Sequence, residues 1–452
     1  MKTAVTVLFL ATLCCCLKGE RQSDMLWQNA EYFELVLKEM PFGKAVHPAV
    51  EFMGRNPNTD TWFTLRNLLD TGSFGAFALA GGYRITDDLG SPNFPLATET
   101  RKGLMELFGS GNSRLDKWRS TFAQDAQPVN QQFQLPLFAK EGWKFYMGSN
   151  TGGFVAQSAM PYLECVSHED WSQRGRCPRY AAFYSYSDKL ANILDSTTTE
   201  YPDFDVISAI WGLAPGASPY DGSLPERWSN WPVDRDSDWI WDDLYNKREC
   251  LYFEFNINSY VNSFLVSTGC SHHHHLSAPL IITALESPYW MFATRTRLSG
   301  HNIDPRYVTH SFHASAPEIF NIMIDTGLTA HIFTESDMWE NSFKPLIPET
   351  VKEFTLTLEP KHIHPDSAVT TFSIKLSIEN VITFHDSGES WYKGSHLVFG
   401  WKLMKESKNR WSFAHPKAIL VDNLGNQIGY SKDKLRIIWQ EDLSIHQFSI
   451  SN

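Results

Sequence analysis

Two carboxylates stand in the same local setting in two distant parts of the chain. Asn67-Leu68-Leu69-Asp70-Thr71-Gly72-Ser73 and Asn321-Ile322-Met323-Ile324-Asp325-Thr326-Gly327-Leu328 each carry an apolar run into Asp-Thr-Gly. Asp and Gly favour turns, so one such tripeptide alone marks little more than a turn after a strand. Two with matched apolar flanks form an internal repeat. If folding brings the two carboxyls within a few ångströms, both cannot ionise readily, and they share a proton near acidic pH. The ionised member can then take a proton from a water held between them, while the protonated member hydrogen-bonds a carbonyl under attack. No covalent intermediate, metal or cofactor is needed. Gly72 and Gly327 let the backbone turn tightly and approach the carboxylates.

Other residues with reactive side chains give weaker patterns. Ser271-His272-His273-His274-His275 is a histidine run without a carboxylate or cysteine at ligand spacing, and it reads as a solvated loop, not a metal site. Cys14, Cys15 and Cys16 lie in an N-terminal apolar run; Cys165, Cys177, Cys250 and Cys270 lie beyond it. Four cysteines in an oxidising compartment suggest two disulfides with three possible connectivities. Pairing Cys165 with Cys177 and Cys250 with Cys270 closes the shortest loops. Zinc is the rival reading, but the spacings are not the close pairs zinc usually takes.

The elements that must position the repeat are strands. Most of the chain consists of short β-branched and aromatic runs separated by Gly, Pro, Asn and Asp, such as Trp62-Phe63-Thr64-Leu65 and Tyr252-Phe253-Glu254-Phe255. Long helical periodicity is lacking, so the fold class is mainly β. Thr98 to Leu107 and Ser336 to Pro345 are the better helical candidates.

The repeat and its surroundings resemble the pepsin family of aspartic peptidases. Ile210-Trp211-Gly212-Leu213-Ala214 and Val398-Phe399-Gly400-Trp401 resemble the strands that thread beneath each active-site loop in that family. Phe145-Tyr146-Met147-Gly148-Ser149-Asn150-Thr151-Gly152-Gly153-Phe154 resembles its flap hairpin. Pro288-Tyr289-Trp290 resembles the strand opening the second lobe, and Leu420 to Tyr430 the final hairpin. The matches run in family order from about residue 50 to residue 431. The resemblance implies a bilobal fold of two pseudo-symmetric, β-barrel-like lobes with an interlobe cleft. It implies Asp70 and Asp325 as the catalytic dyad of an endopeptidase acting on an extended polypeptide. Thr71 and Thr326 would each brace the opposite loop, and Ser73 would hydrogen-bond Asp70 from outside.

Three departures bear on activity. Leu328 stands where the family has Ser or Thr, which removes an outer donor from Asp325 and disfavours its charged form. Aligning Gly148-Ser149 with the family's flap puts Met147 at the usual tyrosine position, with Tyr146 one residue before it. A one-residue shift in a strand reverses the face a side chain occupies, so Tyr146 serves only if the hairpin is bulged or differently registered. The first half is also longer, with 142 positions from Asp70 to Gly212 against 75 from Asp325 to Gly400, which implies insertions around a groove.

Composition limits the alternatives. The chain has 452 residues, 42% of them hydrophobic and 20% charged, which is ample for two cores. A net charge of -12 argues against nucleic acid as a partner. Lys2, the apolar run from Ala4 to Leu17 and the polar switch at Lys18 describe a signal peptide over 1–19, too short for a membrane span. The expected organisation is then a short propeptide or N-terminal strand over 20–46, lobes over 47–225 and 226–438, and a tail over 439–452. Residues 33–37 could already be a strand of the mature body. The expected product is a monomer without stable membrane insertion, secreted or delivered to an endolysosomal or vacuolar compartment. Two other functions compete: a non-catalytic binding or inhibitory protein of the same fold, and a β-rich carbohydrate binder using the 16 Trp residues as platforms. Aromatics this numerous more often fill cores.

Overall fold

The computed structural model describes residues 32–43, 45–55, 62–73, 76–79, 142–147, 151–156, 164–167, 174–176, 181–185, 200, 207–214, 250–257, 262–267, 279–285, 287, 289–309, 318–384, 395–407, 410–421, 427–432 and 435–440. They are mainly strand. The early strands are β1 (Tyr32–Val36), β2 (Lys38–Phe42), β3 (Ala45–Arg55), β4 (Trp62–Asp70), β5 (Ala76–Leu79), β6 (Gly142–Met147), β7 (Thr151–Ala156), β8 (Glu164–Ser167), β9 (Arg174–Arg176), β10 (Ala181–Ser185) and β11 (Ala209–Gly212). The middle group is β12 (Cys250–Ile257), β13 (Asn262–Ser267), β14 (Leu280–Thr283), β15 (Met291–Gly300), β16 (Ile303–Tyr307), β17 (Ile319–Asp325) and β18 (Ile332–Glu335). The last are β19 (Glu353–Pro360), β20 (Phe372–Ser377), β21 (Val381–Phe384), β22 (Leu397–Gly400), β23 (Arg410–Val421), β24 (Gln427–Lys432) and β25 (Arg436–Gln440). Among the described residues the α-helices longer than one residue are α1 (Ser336–Met338), which continues through a π turn to Phe343 and a 3-10 turn to Leu346, and α2 (Trp401–Glu406), with a further 3-10 turn over Ile378–Asn380. The Ser336 candidate therefore is helical; the Thr98 candidate lies outside the described residues.

Among the described residues the strands form three sheets, and two of them repeat one topology. In the first, β3, β4, β11, β5 and β10 lie side by side; β4 is antiparallel to β3 and parallel to β11, while β5 is antiparallel to β11 and parallel to β10. In the second, β15, β17, β22, β18 and β21 occupy the same order with the same directions. The parallel pairs put Gly212 beside Asp70 and Gly400 beside Asp325. Parallel strands need a crossover rather than a tight turn, so this pairing is inherently long-range. β4 and β17 are buried along most of their length, as strands with neighbours on both sides must be, and this explains their near-continuous apolar runs.

The third sheet orders β1, β13, β12, β23, β25 and β14, with β24 paired to β23. β1 thus joins strands more than 200 residues away, pairing Tyr32 with Ser267 and Val36 with Ser263. Leu35 and Leu37 are buried there. Residues 33–36 lie in β1, Leu37 follows it outside any strand, and β3 begins at Ala45. β25 runs on through Gln440, past the expected start of the tail.

Aromatic side chains join the sheets. Trp211 packs on Phe52 at 5.8 Å and on Phe264 at 5.7 Å, and Phe253, Trp290 and Phe413 pack on one another. Trp211, Trp290 and Trp411 are among the most buried side chains. At least these tryptophans are core residues, not surface platforms. Among the described residues no helix is long and apolar enough to cross a membrane.

Candidate active site

Each Asp-Thr-Gly begins on the last residue of a central strand. Asp70 ends β4 and Asp325 ends β17, and each chain turns at once, with Ser73 N–H reaching Asp70 O at 3.4 Å and Leu328 N–H reaching Asp325 O at 3.2 Å. Gly72 N–H donates to Asp70 Oδ1 at 2.8 Å, and Gly327 N–H donates to Asp325 Oδ1 at 2.9 Å. An aspartate that accepts an amide two residues on is a common turn device, and here it aims both carboxylates.

The two turns meet. A methyl group added at Gly72 would stand 2.5 Å from Asp325 Oδ1, and one added at Gly327 would stand 2.5 Å from Asp70 Oδ1. Each carboxylate therefore binds the amide of its own glycine and packs against the α-carbon of the other. Only glycine allows that approach. Asp325 is buried, at 8% exposure, while Asp70 is half-buried.

Crosswise threonine bonds fix the two turns to each other. Thr71 Oγ1 donates to Ile324 O at 2.9 Å and accepts from Thr326 N–H at 2.9 Å. Thr326 Oγ1 donates to Leu69 O at 2.7 Å and accepts from Thr71 N–H at 3.0 Å. Both side chains are fully buried. With a net worth near 1 kcal/mol per bond, the four contribute about 4 kcal/mol to holding the turns together. Trp290 adds a further tie, its Nε1–H donating to Leu213 O at 2.8 Å.

The surroundings of the two carboxylates differ. Ser73 Oγ donates to Asp70 Oδ2 at 2.5 Å. The matching position, Leu328, instead packs into an apolar group with Met291, Met323, Val398, Leu285, Tyr289 and Phe333. Gly400 lies beneath this second turn. Its N–H donates to His331 O, and Trp401 N–H donates to Leu328 O at 2.7 Å. A methyl at Gly400 would stand 2.2 Å from Ala330 O and 2.6 Å from Leu328 O, so backbone itself excludes a side chain there.

Tyr146 and Met147 close the first strand of the β6–β7 hairpin, pairing with Gly152 and Thr151. Pairing is continuous from Gly142–Ala156 to Met147–Thr151, with no bulge. Gly148 and Ser149 lie outside the described residues. Cys165 lies on β8 and Cys250 begins β12, whereas Cys177, Cys270 and the histidine run lie outside the described residues, as do the expected disulfides with them. Among the described residues no group of three or more His, Cys, Asp or Glu is arranged to hold a metal ion.

One neighbour of the site carries no motif. His47, on β3, is buried at 7% exposure beside the backbone of Phe42 and Gly327. Burial lowers its pKa to about 4, against the pull of those two backbone groups. A lone histidine in a strand gives no sequence signal; only the approach of the second turn marks it. Compared with models of known families and with curated proteins, the chain matches none.

Proposed function

We propose that the chain is an aspartic endopeptidase of the pepsin type, with two pseudo-symmetric lobes and a substrate groove between them. The observation that carries this reading is the reciprocal packing of Asp70 on Gly327 and Asp325 on Gly72, with the threonines crossed beneath. Such a pair of carboxyls shares one proton. The ionised member draws a proton from a water between them, and the water attacks the peptide carbonyl. The protonated member donates to the carbonyl oxygen and then to the leaving amine. The crossed threonines hold both carboxyls in place, so little reorganisation is needed during reaction.

The substrate is an extended polypeptide beneath the β6–β7 hairpin. The apolar group around Leu328 favours apolar side chains near the scissile bond. The N-terminal apolar run would send the protein into the secretory pathway, where its cysteines can pair. Leu328 also favours a second reading, a binding protein that keeps the dyad for structure, because that position supplies no hydroxyl.

Incubation with denatured protein from about pH 2 to 7 separates them, since a shared proton confines dyad activity to acid. Cleavage by the wild type, reduced at least ~100-fold in Asp70→Asn and in Asp325→Asn, is the expected result. Undiminished cleavage in both variants rejects the dyad. A folded wild type that cuts nothing supports the binding protein.

A further inference from the structure

We propose that His331 is a positioning residue for the second Asp-Thr-Gly turn, which it holds through a directed chain of side-chain hydrogen bonds. The chain starts from an asparagine whose orientation is fixed. Asn380 Oδ1 accepts from Ser377 N–H at 3.0 Å in the capping box of the Ile378–Asn380 turn, so Nδ2 is the atom that faces His331. That Nδ2 lies 2.9 Å from both ring nitrogens. The ring's Nε2 also stands 2.6 Å from Glu406 Oε2. A carboxylate only accepts, so Nε2 carries the ring proton and Nδ1 takes a hydrogen of Asn380. The bonds then run one way, from Ser377 N–H through Asn380 and His331 to Glu406.

This chain closes a clamp on the residues that leave the turn. α2 begins at Trp401, whose N–H donates to Leu328 O at 2.7 Å, and ends at Glu406, which holds the His331 ring. Both ends of the return over residues 328–331 are therefore tied to one short helix. His331 O accepts from Gly400 N–H at 3.1 Å, and Gly400 stands beside Asp325 in the β17–β22 pair. A shift of His331 thus reaches the carboxylate through a single strand pair. The first repeat has no matching side chain: Ala76 faces Trp211 there as Ile332 faces Phe399 here, so Gly75 stands in the place of His331. Asp70 has the Ser73 hydroxyl as its outer donor; Leu328 offers Asp325 none, and the second turn is held from behind instead.

The inference rests on the dyad reading, and the test keeps the two apart. Full-length wild type, His331→Leu, His331→Gln and Glu406→Ala are assayed for cleavage of a denatured protein in acid. Amide hydrogen exchange is followed in the same four proteins at Gly327, Leu328 and Gly400, with strand β12 as reference. Leucine fills the space of the ring without either bond, whereas glutamine keeps one donor and one acceptor. Glu406 is 63% exposed, against 12% for the His331 side chain, so Glu406→Ala breaks the chain without opening the interior. His331→Leu should lower kcat about 10-fold with KM little changed. It should also speed exchange at the three amides about 10-fold while β12 keeps its wild-type rate. Glu406→Ala should move both readouts the same way by about 3-fold, and His331→Gln should recover most of the loss. Wild-type kcat and exchange in His331→Leu, or a His331→Gln no better than His331→Leu, overturns the proposal. Exchange that rises equally in β12 shows a merely structural role and overturns it too. If wild type cleaves nothing, the peptidase reading falls and exchange alone decides by the same outcomes. If His331→Leu fails to fold, Glu406→Ala decides: faster exchange at the turn alone retains the proposal, and the wild-type rate rejects it.

Discussion

Thr71 and Thr326 show how much one hydroxyl can do when it both donates and accepts across an interface. Each is fully buried and meets backbone more than 250 residues away in sequence. Valine has nearly the same shape but neither function, so Thr71→Val leaves Ile324 C=O and Thr326 N–H buried without that partner. The expected loss is about 2–4 kcal/mol in urea unfolding, with activity falling further because the carboxylates lose their fixed spacing. Thr326→Val should behave alike, and the double variant should lose less than the sum, since the two hydroxyls serve one network. A sum that is fully additive would mean that the turns are held independently.

At the scale of elements, the parallel pairs β4–β11 and β17–β22 set the height of each turn. Gly400 is the sharpest case, because the atoms a side chain would meet are the carbonyl oxygens of Ala330 and Leu328. Those oxygens belong to the turn itself and cannot swing aside as a flexible side chain would. Gly400→Ala is expected to cost about 2–3 kcal/mol by thermal or urea unfolding and to depress kcat more than KM. The helix that follows reinforces the same region: Trp401 Nε1–H and Lys405 donate to Glu39 at 2.9 and 2.6 Å, tying β2 to the segment under Asp325. Glu51, buried between Lys38 and Arg66, anchors the same end of β2 to β3 and β4.

For the whole molecule, acid is both the expected working condition and a source of strain. His47 binds a proton near pH 4 when folded and near 6.5 when unfolded. Between those values the unfolded chain holds more protons, so stability falls as pH drops through this window and the loss is complete below it. The full effect of the shift is about 3 kcal/mol. Urea unfolding at pH 7 and at pH 4 should show that difference in wild type and a smaller one in His47→Gln. Alkali acts through Tyr252, whose pKa is raised by burial and by the adjacent Glu254. Its hydroxyl donates to Glu254 at 2.5 Å, so ionisation is available only to the unfolded chain and stability falls again at high pH.

The sequence alone determined the mainly β character, the two Asp-Thr-Gly turns and the helix beginning near Ser336. These depend on residues close together in the chain, where alternation, β-branching and turn chemistry act directly. The same reading reached Gly212 and Gly400 through resemblance, but could not show why glycine is required. That reason is the Leu328 and Ala330 backbone, brought against Gly400 by parallel pairing across 75 positions. The joining of β1 to β13 and the place of His47 beside Gly327 were likewise decided by tertiary structure. Burial and register are set by partners distant in sequence, and nothing local to Tyr32 or His47 records them. The two carboxylates were legible as a repeat; their meeting, each on the other's glycine, belongs to the fold.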